Sequence, residues 1–278
     1  MGGLLRLARP LNCAMSALGV VIGGIVAVGP DAWGAHSVSL GFAALAAAAF
    51  TAAGNALNDI KDRETDRINH PDRPLPSGRV SLASAKLLEG TMFVAAGILG
   101  IAASPLCGLV VVVNGFLMFA YEYLVKARGV PGNLLIAYLV GSLFLFAGFA
   151  VFREDVVPMV RTGFLTLLAF LATFGREIVK DIEDMAGDVD RRTLPQRVGS
   201  RPAGLVASTA FVAAVGLSIV PWWIRALGFP YLGVVLLADG IFIYAALHST
   251  SNPARSQRFA KYAMVVALAA FLVGGILP

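Results

Sequence analysis

Nine runs of mostly apolar residues decide what this chain can fold into, because about 20 such residues let an α-helix cross the hydrocarbon core of a bilayer. They span residues 11–29, 38–57, 82–103, 105–124, 132–151, 160–179, 202–221, 229–248 and 259–277. A membrane β-barrel would show ten-residue segments of alternating polarity instead, and these runs do not alternate. Composition agrees: 58% of the 278 residues are hydrophobic and 14% charged, against roughly 25% charged in a soluble domain. Cys13 and Cys107 sit in apolar runs and suggest neither a disulfide framework nor a zinc site. The first run follows Arg6 and Arg9 as a signal peptide would, but eight more spans make it the first membrane helix. Small residues, as in GVVIGG at 19–24, read as helix-packing positions.

The basic residues orient the bundle. With the N-terminus in the cytoplasm, 19 of the 22 Lys and Arg fall on the cytoplasmic side, leaving Arg153, Arg161 and Arg225 outside. Cytoplasmic loops of membrane proteins carry that excess. The formal charge of +5 is then orientation signal plus anion binding at one membrane face, not a nucleic-acid footprint.

Acidic residues gather in two places with one spacing. NDIKDRETD at 58–66 sets Asp59, Asp62 and Asp66 at i, i+3 and i+7, and DIEDMAGD at 181–188 repeats this with Asp181, Asp184 and Asp188. At about 100° per residue each trio shares one helix face. RPLP at 73–76 and RTLP at 192–195 follow the two clusters, so a single domain over 1–278 with an internal duplication is expected, the first motif within 55–81 and the second within 176–201. Charged helix ends with i, i+4 ion pairs explain one such cluster, but not two alike. Three carboxylates on one face repel unless a cation sits among them, and Mg²⁺ binds a few carboxylates together with phosphate oxygens. The interleaved Lys61, Arg63, Arg67, Arg73, Lys180, Arg191 and Arg192 suit a phosphate or diphosphate ligand.

NDIKDRETD and DIEDMAGD resemble the two aspartate-rich motifs of UbiA-type intramembrane prenyltransferases, and NHPDRPLPSGRVS at 69–81 resembles the stretch that follows the first. The resemblance implies an all-α membrane bundle of nine helices with motifs after the second and sixth. It implies Mg²⁺-dependent transfer of a prenyl group from an allylic diphosphate to a lipid-like acceptor. It places Asn58, Asp59, Asp62 and Asp66 on one metal and Asp181, Asp184 and Asp188 on a second. Asp62, Asp66, Asp184, Asp188 and Lys126 become the expected catalytic residues. Asn58, Arg63, Arg67, Arg73, Lys180, Arg176, Asn12, Tyr121 and Tyr123 become the expected substrate contacts. The family's Y-x-x-x-K is YEYLVK here, with Tyr121 five and Tyr123 three residues before Lys126. GREIVKDIEDMAGD at 175–188 resembles archaeal members that add a second geranylgeranyl group to geranylgeranylglyceryl phosphate. An aromatic acceptor, as in quinone synthesis, is the alternative. The expected location is the cell membrane of a prokaryote with the site facing the cytoplasm, and no protein or nucleic-acid partner is implied.

Four other polar residues have two readings each. Asn12 serves an acceptor headgroup or helix packing, and Glu122 serves the cavity or an i, i+4 pair with Lys126. Asn133, after Pro131-Gly132, serves as a helix cap or a ligand contact. Asp239 lies in the middle of the eighth run, where an ionisable group is costly and usually functional. An ion-coupled transporter would also carry repeats and intramembrane acids, but its sites tend to lie at mid-membrane, whereas these clusters lie at one face.

Overall fold

The computed structural model describes residues 2–185 and 192–277, apart from the side chain of Asn69. Among them are nine helices long and apolar enough to span a membrane. Their main α-helices are α1 (Pro10–Val28), α2 (Ser37–Lys61), α3 (Leu82–Ala103), α4 (Pro105–Ala120), α5 (Val130–Val151), α6 (Val157–Asp184), α7 (Ser200–Leu217), α8 (Phe229–His248) and α9 (Pro253–Ile276), the fourth span continuing to Arg128 and the seventh to Trp223. No strand occurs among the described residues. A helix satisfies its own backbone polar groups, which the bilayer interior cannot do.

Local chemistry sets the ends. Proline occupies one of the first two positions of α1, α4, α5, α6, α8 and α9, where its missing N–H costs nothing. The side chains of Ser81, Ser104 and Asn252 accept backbone N–H bonds at the starts of α3, α4 and α9.

Several boundaries depart from the sequence pattern, and three of them bear on the charged end. The first acidic motif is not one continuous helix: α2 stops at Lys61, Asp62 forms the joint, and a separate helix runs Arg63–Asn69. α4 ends at Ala120 and passes into a π-helical turn over Tyr121–Val125, then a 3-10 turn over Lys126–Arg128. α6 continues through Asp184, five residues beyond the expected end.

α1 is the pivot of the bundle, packing against α2, α5, α6 and α9. One apolar core joins α1 to α2, α3, α4 and α5, centred on Val20, Leu40, Ala43 and Ala147. A second joins α6, α7, α8 and α9 around Ile178, Ala207, Phe211 and Ala245. A third crosses between the groups through Ile22, Phe144, Leu165 and Phe271. Hydrocarbon offers no drive to bring apolar helices together, so close backbone approach has to do so. A Cβ on Gly141 of α5 would lie 2.8 Å from the carbonyl oxygen of Thr166 on α6. Gly141→Val is therefore expected to cost about 1–3 kcal/mol, read as a lower thermal unfolding midpoint in detergent, while Gly163→Ala, with open space around it, changes little.

Candidate active site

The charged end of the bundle is assembled from ion pairs between segments far apart in sequence. Asp59, in the last turn of α2, is 3% exposed and takes the guanidinium of Arg9. Arg9 joins the short helix Gly2–Ala8 to α1 with φ 53°, a left-handed conformation that costs a non-glycine residue roughly 1–2 kcal/mol. The surroundings hold it there: Asn55 Nδ2 and Cys13 Sγ both donate to the carbonyl of Ala8. Arg73 Nη1 donates to Asp66 Oδ2 at 2.6 Å and lies 3.7 Å from Asp59 Oδ1, so one cation serves two carboxylates across the break at Asp62.

Asp62 turns toward a different partner. Lys126 Nζ donates to Asn58 Oδ1 (2.7 Å), Asp62 Oδ2 (2.9 Å) and Glu122 Oε2 (2.8 Å). The Glu122 side chain is fully buried, and its Oε1 has no hydrogen-bond partner among the described residues. Glu122 lies in the π-helical turn and Lys126 follows it, four residues on. Such turns often mark functional sites.

The α4–α5 connection also reaches the second cluster. Asn133 Nδ2 donates to Asp181 Oδ2 at 2.8 Å, so Asn133 ties α5 to α6; the position before α5 belongs to Gly129 instead. The N–H of Arg192 donates to the carbonyl of Ala127. Gly129 has φ 70°, and a Cβ there would meet the carbonyl oxygen of Arg192 at 2.8 Å; only glycine meets both demands. One short segment, 126–133, thus touches both acidic motifs. Asp184 is exposed at the end of α6. Asp188 and Arg191 lie outside the described residues.

Other expected contacts are less central. Arg63 and Arg67 both bind the exposed Glu64, at 2.5 and 2.7 Å, and hydrogen bonding from Arg63 holds the Glu64 carboxyl below its usual range. Neither arginine pairs with Asp59, Asp62 or Asp66 among the described contacts. Arg63 immediately follows the helix break at Asp62, which changes the face it occupies. Tyr121 lies 5.9 Å from Lys126 Nζ, while Tyr123 is exposed beneath Lys61 at 3.9 Å. Tyr121 is therefore the tyrosine beside the lysine. Lys180 is half-buried and makes no ion pair among the described residues.

Asn12 and Arg176 both lie elsewhere, on the wall of a cavity of about 630 Å³ between α1, α5, α6, α8 and α9. Its lining is mainly apolar, with Leu143, Phe144, Leu168, Val235 and Phe271, and the end of α7 contributes Ser218. Asp239, whose partner the sequence did not disclose, also lines it and accepts from Ser218 Oγ at 2.7 Å. Lys261 of α9 is a further lining residue that motif reading missed. Its only sequence signal is a lysine inside the otherwise apolar run 259–277.

No three of the Asp, Glu, His or Cys side chains converge in metal-ligating geometry among the described residues; Arg9, Arg73 and Lys126 hold the carboxylates instead. A helical bundle with two oxygen-rich clusters at one end and an apolar cavity behind them suits an anionic, hydrocarbon-tailed ligand. Residues 17–273 match the model of the UbiA prenyltransferase family, and the chain belongs to that family. A digeranylgeranylglyceryl phosphate synthase from Methanopyrus kandleri is 38% identical, with 98% of each chain covered. A solved structure concerning digeranylgeranylglyceryl phosphate synthase in membranes superposes with a TM-score of 0.83 at 32% identity, covering 99% of this chain and 98% of that one. A UbiA homolog from Archaeoglobus fulgidus, solved with GPP and Mg²⁺, shares the fold at 17% identity and a TM-score of 0.61, covering 99% of this chain and 100% of that one.

The geometry separates the arginines sharply. Arg73→Met strips a shared cation from two buried carboxylates and is expected to lower turnover at least about tenfold, since a charged hydrogen bond is worth about 1.5–3 kcal/mol. Arg67→Met removes an exposed pair and should leave turnover within about twofold. Initial-rate assays of the two purified variants check this.

Proposed function

We propose that the chain transfers a geranylgeranyl group from its allylic diphosphate to geranylgeranylglyceryl phosphate, making the second ether bond of an archaeal membrane lipid. The observation that carries the reading is the match over 98% of both chains to the Methanopyrus kandleri synthase. The Archaeoglobus fulgidus homolog solved with GPP and Mg²⁺ supports an allylic diphosphate donor and a magnesium requirement. The proposed site faces the cytoplasm of a prokaryotic cell membrane, which the distribution of Lys and Arg supports.

The residues fit the metal. Asn58, Asp59, Asp62 and Asp66 form one set of hard oxygen donors, and Asp181 and Asp184 belong to a second, the donor type Mg²⁺ takes. One ion per set is proposed, with Asp188 completing the second. Mg²⁺ held there supplies positive charge that makes diphosphate a better leaving group.

The rest falls to the protein. Lys126, presented by Glu122, donates to a diphosphate oxygen and stabilises the charge that grows as the bond breaks. Arg73 and Arg9, released in part from Asp66 and Asp59, add donors at the same end. The C1–O bond of the donor breaks with its electron pair going to diphosphate. A lone pair on the acceptor's glycerol oxygen forms the new C–O bond, and the hydroxyl proton passes to the departing diphosphate. The apolar cavity keeps water from the allylic carbon and aligns the two reactants.

Purified protein given geranylgeranyl diphosphate, geranylgeranylglyceryl phosphate and Mg²⁺ is expected to release diphosphate and form the diether, with activity lost on chelation. Product from 4-hydroxybenzoate but none from the glyceryl phosphate overturns the acceptor. Asp62→Ala and Asp184→Ala should each abolish turnover in folded protein, and full activity in either overturns the two-cluster site. For orientation, single cysteines at Ser77 and Glu154 can be placed in a Cys13→Ser, Cys107→Ala chain. An impermeant maleimide should label position 154 in intact cells and position 77 only after lysis.

A further inference from the structure

The cavity behind the acidic clusters carries a belt of polar side chains that the diphosphate chemistry does not use. Arg161 of α6 reaches the carbonyl of Ala27 on α1 near the far end of the bundle. Counting equal numbers of residues back along these antiparallel helices brings Arg176 level with Asn12. α9 runs parallel to α1, and Gly275 packs against Ile25 and Val26, so the same count sets Lys261 within a residue of that level. All three line the one cavity, from three different helices.

Their charges are unequal. Arg176 is bound by the carboxylate of its neighbour Glu177, whereas Lys261 makes no ion pair among the described residues. Asp239 lines the same cavity from α8 but is held by Ser218. Beyond this belt the walls are mainly hydrocarbon, with Gly19, Leu143, Phe144, Leu168, Leu268 and Phe271, interrupted by the Ser218–Asp239 pair. An ammonium and a guanidinium at one level, with an apolar slot continuing past them, match a phosphate monoester carrying a long hydrocarbon chain.

Resting on the function proposed above, we infer that Lys261 and Arg176 form the binding site for the phosphate of the lipid acceptor, apart from the Lys126 site that takes the diphosphate of the donor. Asn12 completes the site as a neutral hydrogen-bond donor. The phosphate lies against α6 and α9, away from the Asp239 carboxylate. Two anionic substrates then have two separate cationic anchors, so each is held by its own head group. Lys261 becomes a specificity residue for phosphorylated acceptors.

The test compares wild type, Lys261→Met and Lys261→Arg with two acceptors, geranylgeranylglyceryl phosphate and the same lipid without phosphate, geranylgeranylglycerol. Lys261→Met keeps the apolar stem and removes the charge. Its KM for the phosphorylated acceptor is expected to rise about tenfold or more, the usual worth of one charged hydrogen bond. The KM for geranylgeranyl diphosphate and the kcat should stay near wild type, and Lys261→Arg should restore most of the loss. With geranylgeranylglycerol, wild type and Lys261→Met should perform alike. An unchanged acceptor KM, an equal rise with both acceptors, or a rise in donor KM overturns this inference alone. A wild-type protein that prenylates neither lipid overturns the proposed function and the inference with it.

Discussion

Carboxylates at the end of an apolar bundle must each find a cation, and the rest of the charged end is arranged around that demand. Asp59 and Asp66 are 3% and 4% exposed, and an uncompensated charge so placed costs several kcal/mol. Their partners come from the start of α1 and the loop before α3, while Asp62 draws Lys126 from beyond α4. Four segments distant in sequence are tied together by one cluster. The left-handed Arg9 and the π-helical turn at Tyr121–Val125 are local backbone costs accepted at the same place. Strain of this kind persists only where the surroundings impose it.

The segment from Lys126 to Asn133 gives this end its unity. Lys126 holds the first acidic cluster and Asn133 the second, and the backbone between them receives the chain after the second motif at Ala127. Below it, α1 and the α5–α6 contact join two helical groups whose cores are otherwise separate. A site shared between two groups of helices needs such a clamp, because a shift of even about 1 Å in one group degrades the alignment of reacting atoms.

Much of this was legible in the sequence, for physical reasons. The spans were legible because bilayer thickness sets a length that composition alone reveals. The paired acidic motifs were legible because solubilising charge does not fall twice into one spacing in a chain so poor in charge. The break at Asp62 was not, since NDIKDRETD satisfies helical spacing throughout and nothing local stops it. That break sets the helix carrying Arg63 and Arg67 apart from α2, and both pair with Glu64. Asn133 offered two readings in sequence, and only the approach of α6 shows that it binds Asp181.

The sequence by itself determined that the chain is a helical membrane bundle, where its spans fall, and where along them the acidic residues gather. Each follows from residue type and spacing along a helix, quantities fixed by covalent geometry and by the bilayer. The tertiary structure decided which cation meets which carboxylate, and that Asn12, Arg176 and Lys261 border one cavity. Those facts depend on how helices cross and at what level they meet. In an apolar bundle that is set by small-residue contacts such as Gly141 against α6 and Gly275 against α1, which leave no trace in the spacing of the polar residues they align.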